Sequence, residues 1–463
     1  HGIDRAFLYS SVMTRRRGRA ETGRPPRRRW GVFSLAALAV LLAAGWLAPA
    51  VLVHTGLRDR PLEAAFAGIA GSIASSAARW HWLAGIEYRD VVLRDQAGQP
   101  AVLVRSLVIE KGLLGLVLDP TSLGTIRLAG VEAAVAVRRG GSSLEDILTP
   151  WLAAPRDRSG ITCDLEVVGG TVEFVDTERN DAWRIVELFA AGTLLPEGRF
   201  AGWTAGGRLT HAGVAAEPVP AEPPASPNPP TESLRLDRTA LPAAAAAVLA
   251  RDGGWSVSAP AGLETTITVT AHRLPLGGSS IVATRIGAER LFDGLADVRL
   301  DLSRGAGRRE VRGRVVVERF AVCRADTLAE EFAVERCELP LHATFTDDDI
   351  VVHELRFTSP VARGEMSGRL AWPGDDAWRW LDGCVGRDCS LTADVDLAAA
   401  AQALPGGLAV RPEVRVTGGS LRLAAVARGD GADRVLEVRL EARDLAAVRT
   451  EPPAPVPQRR APP

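Results

Sequence analysis

The stretch "GIEYRDVVLRDQAGQPAVLVRSLVIEKGLLG", residues 85–115, carries the pattern of the whole chain. Polar and apolar residues take turns on both sides of "DQAGQP". A period of two sends successive side chains to opposite faces of a strand, and Asp, Gly and Pro are turn formers. The stretch predicts two strands and a turn. It contains no obvious catalytic group.

Outward from it the same texture continues. "TIRLAGVEAAVAVRR" sets Val131, Ala133, Val135 and Val137 on one face, with Glu132 and Arg138 on the other. "ITCDLEVVGGTVEFVDT" sets out Ile161, Cys163, Leu165 and Val167, then Val172 and Phe174; Gly169-Gly170 between them predicts a hairpin turn. Strand patterns return from "TTITVTAHRL" to "DRVLEVRLEARD", where Leu436, Val438 and Leu440 oppose Glu437, Arg439 and Glu441. One apolar and one polar face is the mark of an antiparallel sheet with one side in water. The apolar side must be covered by a second sheet, by helices, or by something that is not protein. Helices are expected at 61–80, at 142–153 (Ser143 and Asp146 forming a weakened capping box) and at 241–250.

The chain of 463 residues has room for two or three domains. Its net charge of −1 hides an asymmetry: eight Arg and one acid lie between Met13 and Trp30. Lys111 is the only lysine, a bias that fits GC-rich codon usage. Residues 1–30 read as a basic cytoplasmic tail, with residues 1–12 upstream of a start at Met13. Gly31–Val53 follows without a charge. As a helix it is ~35 Å long, enough for a hydrocarbon core of roughly 30 Å. Trp30 and Trp46 stand at or near the expected interfaces. Only Arg58 and Arg60 follow closely, so the positive-inside bias keeps the N-terminus in the cytoplasm and sends the rest outside. A cleaved signal peptide competes with an uncleaved anchor, because "APA" at 48–50 mimics a cleavage site. Beyond the anchor, 57–215 form a first β region and 216–232 a linker with seven Pro in seventeen residues. A second β region spans 233–450, and 451–463 form a Pro-rich tail that suggests a fragment.

Five Cys suit an oxidising compartment. Cys384 with Cys389, or Cys323 with Cys337, are the candidate disulfides, and Cys163 is left as a buried apolar residue. No phosphate-binding, dinucleotide or serine-elbow motif is present, and the seven His have no metal-ligand spacing. His342 and His353 lie in strand patterns, and Asp347-Asp348-Asp349 reads as a turn, with a calcium site as the sharper alternative. Aromatic residues make up only 5%, which argues against carbohydrate or nucleic-acid stacking. The Arg-rich tail beside a membrane span marks topology and anionic-lipid contact rather than nucleic acid. The reading is non-catalytic, with no cofactor and no metal.

The order of parts resembles the N-terminal portion of AsmA-like proteins of the bacterial envelope, the group that includes TamB. The resemblance lies in the basic tail and anchor followed by "IEYRDVVLRDQAGQP", "LVRSLVIEKGLLGLV", "GTIRLAGVEAAVAVRR" and "SLEDIL", and in "LEVVGGTVEFVDTE" and "LRFTSPVARGEMSGRL". It covers about 85–190 well and the rest loosely. It implies a long, curved β-sheet held at the inner membrane and reaching into the periplasm, with an apolar inner face for acyl chains. On that reading Val131, Val135, Val137, Leu165, Val172, Phe174, Leu436, Val438 and Leu440 line the groove. Membrane lipids, and envelope proteins besides, are the expected partners. The alternative is a structural or adaptor protein of closed β-sandwiches, in which those faces cover one another.

Overall fold

The computed structural model describes residues 27–153, 161–196, 200–214, 241–261, 265–305, 308–324, 330–346, 349–371, 388–404, 414–428 and 435–449. Two compact units divide the chain after Val51. The first contains most of helix α1 (Arg27–Val53), which carries the uncharged segment and has Pro49 inside it. Side chains are described for only part of α1, and among the described residues no helix is long and apolar enough to cross a membrane.

The second unit is built on one long, curved, mixed sheet with few helices. The short strands β1 (Ser72–Ala74) and β2 (Ala77–Arg79) both pair with β3 (Ile86–Arg94). The opening stretch is the hairpin of β3 with β4 (Pro100–Ile109), closed by Asp95 N–H on the Gln99 carbonyl at 2.9 Å. Then come β5 (Ser122–Arg138), β6 (Gly141–Ser142), β7 (Thr162–Asp176), β8 (Asp181–Leu194) and β9 (Phe200–Val214). After the Pro-rich stretch follow β10 (Gly254–Ala259), β11 (Thr265–Pro275), β12 (Arg290–Gly305), β13 (Arg308–Arg324) and β14 (Glu330–Phe345). The series closes with β15 (Asp349–Thr358), β16 (Ala362–Ala371), β17 (Cys389–Asp396), β18 (Val414–Arg428) and β19 (Val435–Arg449). Each long strand pairs with the next, and β9 pairs with β10, so the chain on either side of residues 216–232 belongs to the same sheet.

Four expectations are corrected. The sheet is not wholly antiparallel: β5 and β7 run parallel, Val135 beside Phe174. Parallel neighbours need a crossover, and α4 (Ser143–Ala153) is in it. Its Glu145 N–H is capped by Ser142 Oγ, one residue before the expected cap, while Ser143 Oγ accepts from the Ala136 N–H of β5. Gly169-Gly170 is no turn; β7 continues through it. The helix expected over 61–80 shrinks to α2 (Arg60–Ala65). Gly68 is left-handed, and Gly71 passes so close to β3 that a Cβ on it would lie 1.9 Å from the Arg94 carbonyl oxygen.

The Gly169 site belongs to a larger feature. Left-handed residues sit inside β3 (Asp90), β5 (Gly130), β7 (Gly169) and β8 (Glu187). The register aligns them: Asp90 falls opposite Arg105, Arg105 opposite Gly130, and Gly130 level with Gly169. The line reappears at Arg273 in β11, Gly294 in β12 and Arg319 in β13. A left-handed residue in a strand breaks the alternation and bends the strand. The apolar residues duly change parity there, from Tyr88 to Val91, Leu128 to Val131, Val167 to Val172 and Val317 to Phe320. Residues from both sides of this seam lie in the same hydrophobic cluster. Tyr88, Val91, Val104 and Leu107 share one, and Val317, Phe320, Val334 and Cys337 share another. The strands are thus folded along a transverse crease with the apolar side chains kept on one face.

Candidate functional site

That apolar face is the candidate site. The parallel register places Ala133 beside Val172, Val135 beside Phe174 and Ile126 beside Leu165, so the first six groove candidates stand on two adjacent strands. Val135 and Val137 are 4% and 3% exposed, whereas Val131, Leu165, Val172 and Phe174 are half-buried. Both α4 and α6 (Ser279–Ile286) pack against β5. Val438 and Leu440 are elsewhere, on β19 at the far edge, 56% and 63% exposed. Leu436 lies in β19 as well.

A polar cluster ties α6 to the β7–β8 turn. Asp176 is wholly buried and accepts from the N–H groups of Glu178 and Arg179 at 2.9 and 3.0 Å. It also accepts from Thr284 Oγ1, and Arg179 Nη1 sits 3.3 Å from it. Arg179 in turn donates to the Ser280 carbonyl at 3.2 Å and to Thr284. Beside this, Asp181 bonds His211 Nε2 at 2.7 Å, Trp183 Nε1 at 2.9 Å and Ser280 Oγ at 3.1 Å. Desolvation pushes the Asp181 carboxyl up, but these three bonds outweigh it and hold the group below the usual carboxylate range. Ser, His and Asp meet here without forming a nucleophile–base pair, because serine and histidine both bond the carboxylate rather than each other. The cluster positions α6.

Toward β14 the face turns aromatic. Phe292 stacks on Phe320 at 6.1 Å, and Phe320 meets Phe332 edge-on at 6.2 Å. Beside them is a cleft of about 500 Å³ lined by Pro275, Gly294, Arg319, Phe320, Ala333 and Val334. These aromatics escaped the sequence reading. The signal was the near-repeat "ERFAV" at 318–322 and "EEFAV" at 330–334, which places the two Phe side chains on neighbouring strands. Further along β14, α7 (Leu397–Ala403) buries Ala400 and Ala403 in the same cluster as Val334 and Cys337.

His342 and His353 bond side chains of neighbouring strands. His342 Nε2 lies 2.8 Å from Glu310 Oε1, and its ring lies tilted against that of His353 at 4.4 Å between centroids, while His353 Nε2 meets Thr344 Oγ1 at 2.9 Å. The His342 bond keeps the Glu310 carboxyl below its usual range. Among the described residues no group of three or more His, Cys, Asp or Glu could hold a metal. Asp347, Asp348 and Cys384 lie outside the described residues, and with them the expected Asp turn and the Cys384–Cys389 bridge. Cys337 stands opposite Val317 and Cys323 opposite Glu330, so the other candidate pair is about 20 Å apart along the strands and forms no bridge. Burial raises the Cys163 and Cys337 thiols. No family model, characterised protein or solved structure matches the chain.

Proposed function

We propose that this chain is a membrane-anchored, lipid-handling protein of AsmA type, acting in transport or biogenesis at the bacterial cell envelope. The observation that carries the reading is the crease. A sheet bent along a line that crosses its strands, with apolar residues kept on one face, makes a gutter whose axis runs from strand to strand. Each CH₂ of an acyl chain laid in such a gutter gains about 0.8 kcal/mol. A lipid is then held without a specific pocket, while its headgroup stays in water. The task requires no catalytic residue, cofactor or nucleic acid. Anchoring rests on the uncharged segment 31–53, which is helical and leaves Leu38, Val40, Leu41 and Leu47 exposed. Its basic flank assigns the N-terminus to the cytoplasm and the sheet to the periplasm.

The burial of Val135 and Val137 favours a second reading, in which the faces are sealed and the protein is an envelope adaptor. The experiment that separates them is mass spectrometry of lipid bound to the full chain purified in mild detergent, with a photo-crosslinkable fatty acid to map contacts. Crosslinks at Phe292, Phe320 and Phe332 support the gutter. Absence of both lipid and crosslinks supports the adaptor.

A further inference from the structure

The short helix α3 (Leu113–Leu118) reads LLGLVL and is apolar on every side. Such a helix has to cover both of its faces. Its inner face is covered: Leu113 and Leu116 pack, with Trp80, on the cluster that holds Tyr88 and Leu107. Its outer face is bare among the described residues, with Leu114, Val117 and Leu118 41–75% exposed. The sequence "WHWL" at 80–83 lies alongside, because the N–H groups of Leu113 and Leu114 donate to the carbonyls of His81 and Trp82 at 3.0 Å. Gly112 permits this approach, since a Cβ on it would lie 2.6 Å from the Ala84 carbonyl oxygen. Leu83, at the end of that sequence, is 73% exposed. Lys111 fastens the other end of α3, donating from Nζ to the Asp119 and Ser122 carbonyls at 2.7 Å. The segment that joins α4 to β7, "APRDRSG" at 154–160, brings no large apolar side chain that could cover α3.

The core beneath α3 indicates what covers its outer face. Val53, the last residue of α1, is buried in the same cluster on which Leu113 and Leu116 pack. The uncharged segment therefore ends in the core on which α3 rests. We propose that α3 and Leu83 form a foot that sinks into the surface of a lipid bilayer, the same bilayer that segment 31–53 enters. The inference rests on the reading of that segment as an anchor and adds a second point of attachment to it. Tryptophan gathers at the boundary between water and lipid, and leucine sits just below it, which suits "WHWL". The charges that flank the two segments cancel, Arg79 and Lys111 against Glu110 and Asp119. The foot is therefore held by apolar burial and not by anionic headgroups. A single attachment lets the sheet swing about its anchor, whereas two attachments fix its tilt.

The test uses the full chain in phospholipid nanodiscs, with a photo-crosslinkable phenylalanine analogue at one position at a time. Leu41 in α1 is 69% exposed and reports on the anchor. Val282 in α6 is 59% exposed and serves as the control, because α6 joins the C-terminal end of β5 through the Gly140 N–H and the Arg285 carbonyl, whereas α3 precedes its start. Lipid adducts are expected from positions 41 and 118 and not from 282. Adducts from 41 without adducts from 118 overturn the foot and leave the anchor standing. An absence of adducts from 41 removes the anchor, and the foot with it. Crosslinks from 118 to a second copy of the chain overturn the foot as well, because the face is then covered by protein. With the analogue at position 83, Val117→Asp combined with Leu118→Asp should lower the adduct yield about tenfold. Both side chains are exposed, so the melting temperature and the adducts from 41 should not change. An unchanged yield at 83 overturns the proposal, since nearness to the anchor then accounts for the lipid. So does a yield that collapses when the nanodiscs lack anionic lipid.

Discussion

Asp181 on β8 accepts a hydrogen bond at 3.1 Å from Ser280 on α6, across 99 residues of chain. The contact fastens a helix from the second half of the sequence to a strand of the first half. Its carboxyl is held below the usual carboxylate range, so folding is favoured by keeping Asp181 ionised. That contribution is complete above the ordinary value of 3.8 and is lost as pH falls through the lower folded value. Trp183 donates to the same carboxylate, so its fluorescence should report the change below about pH 4. Asp181→Asn should remove that acid transition, and Ser280→Ala should cost about 1 kcal/mol at neutral pH.

Asp176→Ala should be far more damaging. It leaves the Arg179 guanidinium and the Thr284 hydroxyl without their shared acceptor in a buried site. Removing one partner of a buried charge pair costs about 3–5 kcal/mol. Thermal unfolding should drop sharply, and Asp176→Asn, which keeps one acceptor oxygen, should recover part of the loss.

Val135→Asp and Val438→Asp should part company. Val135 is 4% exposed, so an unpaired carboxylate there should cost several kcal/mol and unfold the region. Val438 is 56% exposed, and the same substitution should leave the melting temperature within a degree or two. If Val438→Asp destabilises as much as Val135→Asp, the β19 face is covered in solution.

Along the crease, glycine substitutions grade by space. Gly169 has φ +64° and open room for a Cβ, so Gly169→Ala should cost about 1 kcal/mol from backbone strain alone. Gly294 has φ +126° and a Cβ there would meet the Glu318 carbonyl oxygen at 2.8 Å, so Gly294→Ala should cost clearly more. Denaturant midpoints of the two variants measure the difference.

The strands were legible because alternation is local: "GIEYRDVVLRDQAGQPAVLVRS" folds as read. The parity change was also on view, in Tyr88 to Val91 and Val167 to Val172, but a Gly-Gly pair fits a turn as well as a kink. What decides is whether the neighbouring strand continues past it, and β5 does. The helix expected over 61–80 failed because the chain turns left-handed at Gly68 and Gly71 packs against β3, which lies outside that window. The cluster at Asp176 could not be read at all: its partner Thr284 is 108 residues away, and Asp176 alone looks like any strand-ending carboxylate.

The single parallel pair has a consequence for direction. Suppose β5 points up. The parallel step makes β7 point up too, and strict antiparallel pairing thereafter makes β9, β11 and β17 point up. α4 follows β5, α5 (Leu241–Leu249) follows β9, α6 follows β11 and α7 follows β17, so these four helices leave from the upper rim, whereas α3 (Leu113–Leu118) follows the downward β4 and leaves from the lower one. Had β7 run antiparallel to β5, α4 would stand on one rim and the other three on the opposite one. The arrangement also restricts how such a sheet can lengthen. One extra strand would carry every later helix to the other rim, while strands added in pairs leave the two rims as distinct as before.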